Sequence, residues 1–201
     1  MGFLDNLLKR EKPKEKVKIY PTIDIQKVDL TKDSQKIDIT KDNQADPQVL
    51  SDKIKLNFTK LNLDKPEVLS DTAFLLDVSG SMSAKVGKER KIDHLRNVMG
   101  GYPAAKKFSF SDNVHDEKNI PEPNGSTDLA KAFRYLRNTG LKPKRVVLVS
   151  DGEPNEESSA LNEAKELAIP IDIIFIGDKG SRGERFMEKL ASASGGQHMV
   201  V

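Results

Sequence analysis

The stretch Ala73-Phe74-Leu75-Leu76-Asp77-Val78-Ser79-Gly80-Ser81 decides the fold. Its four apolar residues predict a buried β-strand, because a short apolar run bounded by turn-forming residues is typical of a strand covered on both faces. An aspartate and two serines follow at alternate positions, where the strand opens into a loop. Such ligands are all oxygen and carry one charge, which suits a hard cation that keeps several waters. Mg²⁺ fits this description better than Zn²⁺.

Two later segments offer more oxygen ligands. Gly125-Ser126-Thr127-Asp128 places a threonine hydroxyl just before a helical stretch, and Val146-Val147-Leu148-Val149-Ser150-Asp151-Gly152 is a second apolar run that ends in a carboxylate. In doubly wound sheets, ligands bind beyond the carboxyl ends of the strands, where the strand order reverses. We therefore expect these segments to meet at one edge of a sheet.

The three segments resemble the metal-ion-dependent adhesion site of von Willebrand factor A (vWA) domains, whose pattern is Asp-x-Ser-x-Ser, then a distant Thr, then a distant Asp-Gly. The matching residues are Asp77, Ser79, Ser81, Thr127 and Asp151. The resemblance covers about residues 69–201 and implies a compact α/β fold with a doubly wound, mainly parallel sheet flanked by helices. It also implies that the hydroxyls bind the metal directly, and the two aspartates directly or through water.

The function that this resemblance implies is protein binding without catalysis. Mg²⁺, with Mn²⁺ and Ca²⁺ as alternatives, would hold a Glu or Asp of a protein partner at its open coordination position. A second resemblance concerns the arm: Val28–Lys41 is similar to the opening of a TerD-type tellurite-resistance domain. This similarity favours the tellurite-resistance-associated branch of vWA proteins, which is bacterial or phage. A stress-response assembly of this type is the expected context.

Composition excludes several other classes of protein. The chain has no cysteine, which excludes a disulfide framework and a zinc–thiolate site. Lys and Arg number 33 against 31 Asp and Glu, so the near-neutral chain is not expected to bind nucleic acid. No stretch approaches the roughly 20 apolar residues of a membrane span. With no secretory signal pattern at the start, a cytoplasmic location is expected.

The first third of the sequence predicts a different organisation from the rest. We divide the chain into a basic flexible segment (1–20), a repeat-containing arm with strand propensity (21–66) and the vWA domain (67–201). Contact of Met1–Lys18 with a membrane surface is an alternative to a free basic tail. The arm repeats a five-residue pattern that alternates as short strands do, with its last copies at Leu56–Lys60 and Leu61–Lys65. Val49–Leu63 also has helical spacing, so its secondary structure stays open.

The domain itself alternates strand and helix patterns, which is typical of a parallel α/β sheet. The predicted strands lie near Thr72–Asp77, Lys106–Phe110, Arg145–Ser150, Ile171–Ile176 and His198–Val201. The predicted helices lie near Lys91–Met99, Asp128–Asn138, Glu156–Leu167 and Arg185–Ser192. Between Tyr102 and Thr127 the sequence predicts one strand and no hairpin.

Two other functions stay open. The first is a structural assembly subunit whose metal site is vestigial or purely stabilising, since each candidate residue alone is also an ordinary turn or cap residue. The second is a metal-dependent phosphohydrolase of the haloacid-dehalogenase type. That family needs a second aspartate two residues after the first, where Ser79 stands here.

Overall fold

A six-stranded sheet is the centre of the structure, a computed structural model that describes residues 47–116 and 118–201. Its helices are α1 (Pro47–Lys60), α2 (Pro66–Ser70), α3 (Lys91–Gly100), α4 (Leu129–Asn138), α5 (Glu157–Leu167) and α6 (Arg182–Ser194). Its strands are β1 (Thr72–Asp77), β2 (Lys85–Val86), β3 (Glu89–Arg90), β4 (Lys106–Phe110), β5 (Val114–His115), β6 (Arg145–Ser150), β7 (Ile171–Phe175) and β8 (His198–Val200). A 3-10 helix, Gly80–Ser83, follows β1, and β2 and β3 form a separate two-stranded ribbon.

The strand order is β5-β4-β1-β6-β7-β8. Strands β4, β1, β6, β7 and β8 run parallel to one another, and β5 is antiparallel to β4 at the edge. The order runs outward from β1 in one direction and from β6 in the other, so the reversal lies between these two strands. This arrangement confirms the predicted fold class, and the reversal is where such sheets bind ligands.

Helices cover both faces of the sheet because its central strands are apolar on both. In β1, Ala73 and Leu75 pack with residues of α4, α5 and α6, whereas Phe74 and Leu76 pack with residues of α1 and α3. Every residue of β1 is buried. The continuous apolar run at the start of the decisive stretch is thus explained by burial on two sides.

Helix α1 forms part of the second face. Leu50, Ile54 and Phe58 recur at a spacing of four residues and are buried against α3 and the sheet. The helical spacing of Val49–Leu63 therefore prevails over its alternation. The strand prediction for the repeat copies at Leu56–Lys60 and Leu61–Lys65 is wrong, because the first copy continues α1 and the second forms a turn.

Other differences from the sequence predictions are local. A tight turn after β4 leads into β5, so the segment between Tyr102 and Thr127 does contain a short hairpin. Helix α6 begins at Arg182, three residues before the predicted start, because the Ser181 hydroxyl accepts a hydrogen bond from the Glu184 amide at 3.1 Å. The Ser-x-x-Glu spacing is a sequence signal for this start. The predictions for residues 1–46 lie outside the described residues.

Candidate metal centre

Asp77 is the last residue of β1 and is buried between the ends of β4 and β6. The Ser150 hydroxyl at the end of β6 donates to Asp77 Oδ2 at 2.5 Å, and the Ser79 amide donates to Asp77 Oδ1 at 2.8 Å. Both carboxylate oxygens therefore have a donor, and their position is fixed by two strand ends and the first turn of the loop.

Burial is the main influence on the Asp77 carboxyl. It raises the pKa of Asp77 from 3.8 to about 6, since removal from water disfavours the charged form. The hydrogen bonds from Ser150 and Ser79 act in the opposite direction, and the nearby charge of Asp151 raises the pKa a little further. A cation beside this carboxyl would relieve the cost of its charge.

Three side chains form a hydrogen-bonded row beside Asp77. The hydroxyl oxygens of Ser79 and Ser81 lie 3.0 Å apart, and the Ser81 hydroxyl donates to Asp151 Oδ1 at 2.7 Å. The row joins the 3-10 helix after β1 to the loop after β6. The structure thus brings together the residues that the sequence predicted from two separate strand ends.

Thr127 lies at the same edge of the sheet. A Cβ atom built on Gly152 would be 3.4 Å from Thr127 Oγ1 and 3.6 Å from Ser81 Oγ, so both hydroxyls border the space that this glycine leaves open. The Thr127 amide donates to Asn155 Oδ1 at 3.3 Å, and the Asn155 amide donates to the Thr127 carbonyl at 2.9 Å. The loop after β6 therefore holds Thr127 in place.

Asp112 and Gly125 support the Thr127 loop, although neither is among the five predicted metal ligands. Asp112 accepts hydrogen bonds from the Ser126 hydroxyl and amide, and these bonds lower the pKa of Asp112. Gly125 has a φ of +69°, and a Cβ there would lie 2.2 Å from Asp112 Oδ2. The Gly125 carbonyl accepts from the Gly80 amide at 3.0 Å, which links this loop to the 3-10 helix.

Lys91, the first residue of α3, is a further charged group at the centre and is not among the residues predicted for it. Its Nζ lies 2.8 Å from Asp151 Oδ2, and the Asp151 side chain is fully buried. Asp151 therefore has Ser81 on one oxygen and Lys91 on the other. A lysine at the start of a predicted helix belongs to no motif, so no sequence signal predicts this contact.

The donor set fits a hard divalent cation. Neighbouring ligands in an octahedral Mg²⁺ site lie about 3 Å apart, because Mg²⁺–oxygen distances are 2.0–2.1 Å. The Ser79–Ser81 hydroxyl distance of 3.0 Å matches this spacing. The Asp151 carboxylate already binds one cation, the Lys91 ammonium. The described residues contain no group of three or more His, Asp or Glu side chains that could hold a metal. The candidate centre has only two carboxylates, because hydroxyls supply three of its five ligands.

A groove of about 690 Å³ opens beside Asp151. Its apolar lining includes Leu50 of α1, Val86 of β2 and Ile176 after β7, and Lys91 lies at its edge. A ligand that reaches Asp151 can therefore contact apolar side chains as well as polar ones.

Comparisons with known proteins give structural neighbours only. No protein-family model matches the chain, and no curated protein sequence matches it. A crystal structure of an aerotolerance-related membrane protein from Bacteroides fragilis NCTC 9343, with multiple mutations to serines, is 14% identical, has a TM-score of 0.49 and covers 65% of this chain and 90% of its own.

Two further structural neighbours also have low sequence identity to this chain. Manganese-loaded TRAP protein of Plasmodium vivax is 20% identical over 60% of this chain and 62% of its own, with a TM-score of 0.43. A von Willebrand factor type A structure from Catenulispora acidiphila is 13% identical over 65% of this chain and 38% of its own, with a TM-score of 0.45. Similarity at this level says nothing about ligands or activity.

None of the helices in the described part of the chain has the length and hydrophobicity of a membrane span.

The sheet itself defines the fold class: it has five parallel strands, one antiparallel edge strand, and an order that reverses between β1 and β6.

Proposed function

We propose that this centre binds Mg²⁺ and, through it, an acidic residue of a protein partner. The observation that carries the proposal is the row of Ser79, Ser81 and Asp151 at the reversal of the strand order. Five residues hold the metal in this proposal: Asp77, Ser79, Ser81, Thr127 and Asp151.

Each residue type has a distinct task in the proposed centre. The hydroxyl oxygens bind the cation without neutralising it, and the carboxylates of Asp77 and Asp151 supply negative charge directly or through water. A cation held largely by neutral oxygens stays electrophilic and keeps waters that a stronger ligand can replace. A carboxylate from a partner is such a ligand, so the centre works as a binding site for Glu or Asp.

The proposal extends to the setting predicted from the sequence. We infer a non-enzymatic module in a cytoplasmic assembly of the tellurite-resistance type, a context suggested only by the resemblance of Val28–Lys41. Mn²⁺ and Ca²⁺ are alternatives to Mg²⁺, since both also prefer oxygen ligands.

Calorimetry with Mg²⁺ tests the metal site. Wild type is expected to bind about one Mg²⁺. Ser81→Ala is expected to lose most of the affinity, because the Ser81 hydroxyl lies between Ser79 and Asp151 in the hydrogen-bonded row. Ser83→Ala is the matched control: Ser83 lies in the same 3-10 helix, but its hydroxyl donates to the Gly80 carbonyl at 2.6 Å. Equal heats for wild type and Ser81→Ala would refute the assignment.

A pull-down from native lysate tests the partner. The immobilised chain should retain a protein in Mg²⁺ and release it in chelator, and Ser81→Ala should retain less of that protein than Ser83→Ala. A metal that only stabilises the fold would instead raise the melting temperature while leaving the captured proteins the same in Mg²⁺ and in chelator.

A further inference from the structure

The backbone of Lys91 is held in place beside both the metal centre and the groove. The Lys91 amide donates to the Ala84 carbonyl at 3.0 Å, so its backbone is tied to the end of the 3-10 helix that carries Ser81. The preceding Arg90 is held by Asp93, with its Nε 2.8 Å from Asp93 Oδ2. The start of α3 is therefore braced, and the Lys91 side chain is directed from it to Asp151.

The side chain of Lys91 is more accessible than the Asp151 side chain that it contacts. The Lys91 side chain is 18% exposed and the Asp151 side chain is not exposed at all. Lys91 also lines the groove beside Asp151. Because a lysine is a point charge on a flexible chain, its head can leave Asp151 for the groove without movement of the helix.

We propose that Lys91 is a tethered cation that weakens metal binding at Asp151 and strengthens binding of an anionic partner to the metal-loaded centre. This inference rests on the proposed function above. It assigns Lys91 as the residue that makes a carboxylate, and not a neutral ligand, the preferred occupant.

The charges of the centre give the reason. Two aspartates and Lys91 leave one net negative charge, and a divalent cation changes this to one net positive charge, which a single carboxylate neutralises. Without Lys91 the two aspartates alone neutralise the metal, and a carboxylate ligand would leave an excess negative charge. Burial strengthens each of these effects, since screening by water is reduced.

The groove beside the centre carries charges of both signs. Lys53 of α1 and Lys85 of β2 line it together with Lys91. Neither Lys53 nor Lys85 has an acidic partner in the residues that the structure describes. Asp151, Glu153 and Asp178 line the same groove, so the preference for an anion comes from Lys91 at the centre and not from the groove as a whole.

The test uses two probes, Mg²⁺ alone and acetate with saturating Mg²⁺, on wild type and on Lys91→Met. Calorimetry should show Mg²⁺ binding about tenfold tighter to Lys91→Met, because one nearby positive charge has been removed. An NMR titration should show acetate binding to the Mg²⁺-loaded variant several-fold more weakly. Opposite changes in the two affinities are the result that a merely structural lysine would not produce.

Two further variants serve as controls. Lys85→Met removes a lysine of the same groove that does not contact Asp151, and it should leave Mg²⁺ affinity unchanged. Lys91→Arg keeps the positive charge, so both of its affinities should lie closer to those of wild type than the affinities of Lys91→Met do, which also separates loss of charge from loss of folding.

The outcomes separate this inference from the proposed function. If wild type binds Mg²⁺ and Lys91→Met binds it with the same affinity, the inference about Lys91 is wrong while the metal site stands. If both affinities change in the same direction, the inference is also wrong. If neither protein binds Mg²⁺, the proposed function fails and the role of Lys91 fails with it.

Discussion

Strand β6 has an ion pair at each end, and the two pairs differ in chemistry. At its beginning, Arg145 pairs with Asp172 of β7, and Arg145 Nη1 also donates to the Leu61 carbonyl at 2.9 Å. Just beyond its end, Asp151 pairs with Lys91. Both aspartates are almost fully buried, so burial alone does not distinguish a structural pair from a functional one.

The surroundings of the two pairs do distinguish them. Asp172 Oδ1 accepts from the Gln197 amide at 2.9 Å, so that pair connects the turn after α1 with β6, β7 and the approach to β8. Asp151 is surrounded by side chains that can rotate, namely a serine hydroxyl and a lysine. An arginine bound to backbone carbonyls has few alternatives, whereas a lysine can exchange its place with another cation. We therefore expect the Asp172 pair to stabilise the fold, and we propose the Asp151 pair for ligand binding.

The largest expected difference is between Asp172→Ala and Asp151→Ala. Asp172→Ala should lower the free energy of unfolding by about 3–5 kcal/mol, because it leaves a partly buried arginine without its partner. Asp151→Ala should lower it less, by about 1 kcal/mol, because the flexible Lys91 head can turn into the groove that it lines. Urea denaturation at pH 8 measures both. Equal losses would contradict the comparison.

Protonation of Asp77 should give the next largest effect. Its pKa is about 6 in the folded chain against an ordinary value of 3.8, so between these values the folded state binds more protons than the unfolded state. The free energy of unfolding of the metal-free chain should therefore fall as pH rises from about 4 through 6 and then level off, by up to about 3 kcal/mol.

Asp77→Asn is the control for this pH dependence. Other carboxyls titrate in both proteins, so the difference between wild type and Asp77→Asn isolates Asp77. Denaturation in chelator at several pH values gives the curve, and Mg²⁺ should restore stability to wild type only above about pH 6. Parallel curves for the two proteins would show that the Asp77 carboxyl is not held at a raised pKa.

Gly125→Ala should have a smaller effect on stability. This effect should come from the loop beside the proposed metal centre. Gly140 has a similar φ of +74° with nothing near its Cβ position, so Gly140→Ala carries the backbone strain alone, about 1 kcal/mol. Gly125→Ala adds a clash with Asp112 Oδ2 and should cost roughly 1–2 kcal/mol more, as overpacked sites do.

Mg²⁺ affinity separates the two glycine variants further. The Gly125 clash displaces the loop that carries Thr127, so calorimetry should show weaker Mg²⁺ binding for Gly125→Ala and wild-type binding for Gly140→Ala. Wild-type affinity in Gly125→Ala would mean that Thr127 is not needed at the centre.

The sequence predicted the parts of the molecule that have local signals. Strands such as Thr72–Asp77 and Arg145–Ser150 have the predicted bounds, because apolar runs that end in turn residues leave little choice of register. The convergence of Asp77, Ser81 and Asp151 followed from the placement of strand ends in a parallel sheet. Their role as metal ligands stays a prediction.

The missed parts depend on tertiary contacts. Strand β5 is two residues long, and only its pairing with β4 defines it. Lys91 becomes part of the centre through its contact with Asp151, which is 60 residues later in the chain, so no spacing could reveal it. In Leu56–Lys60 alternation and helical spacing coexist, and burial of Phe58 against the sheet decides for the helix.

A crystal of the chain soaked in Mn²⁺ tests the central claim most directly, because the anomalous signal of manganese locates the cation. We predict one strong peak about 2.1 Å from the hydroxyl oxygens of Ser79, Ser81 and Thr127, with Lys91 moved away from Asp151. The absence of a peak at this edge of the sheet at saturating Mn²⁺, with the Lys91–Asp151 contact unchanged, would contradict the account.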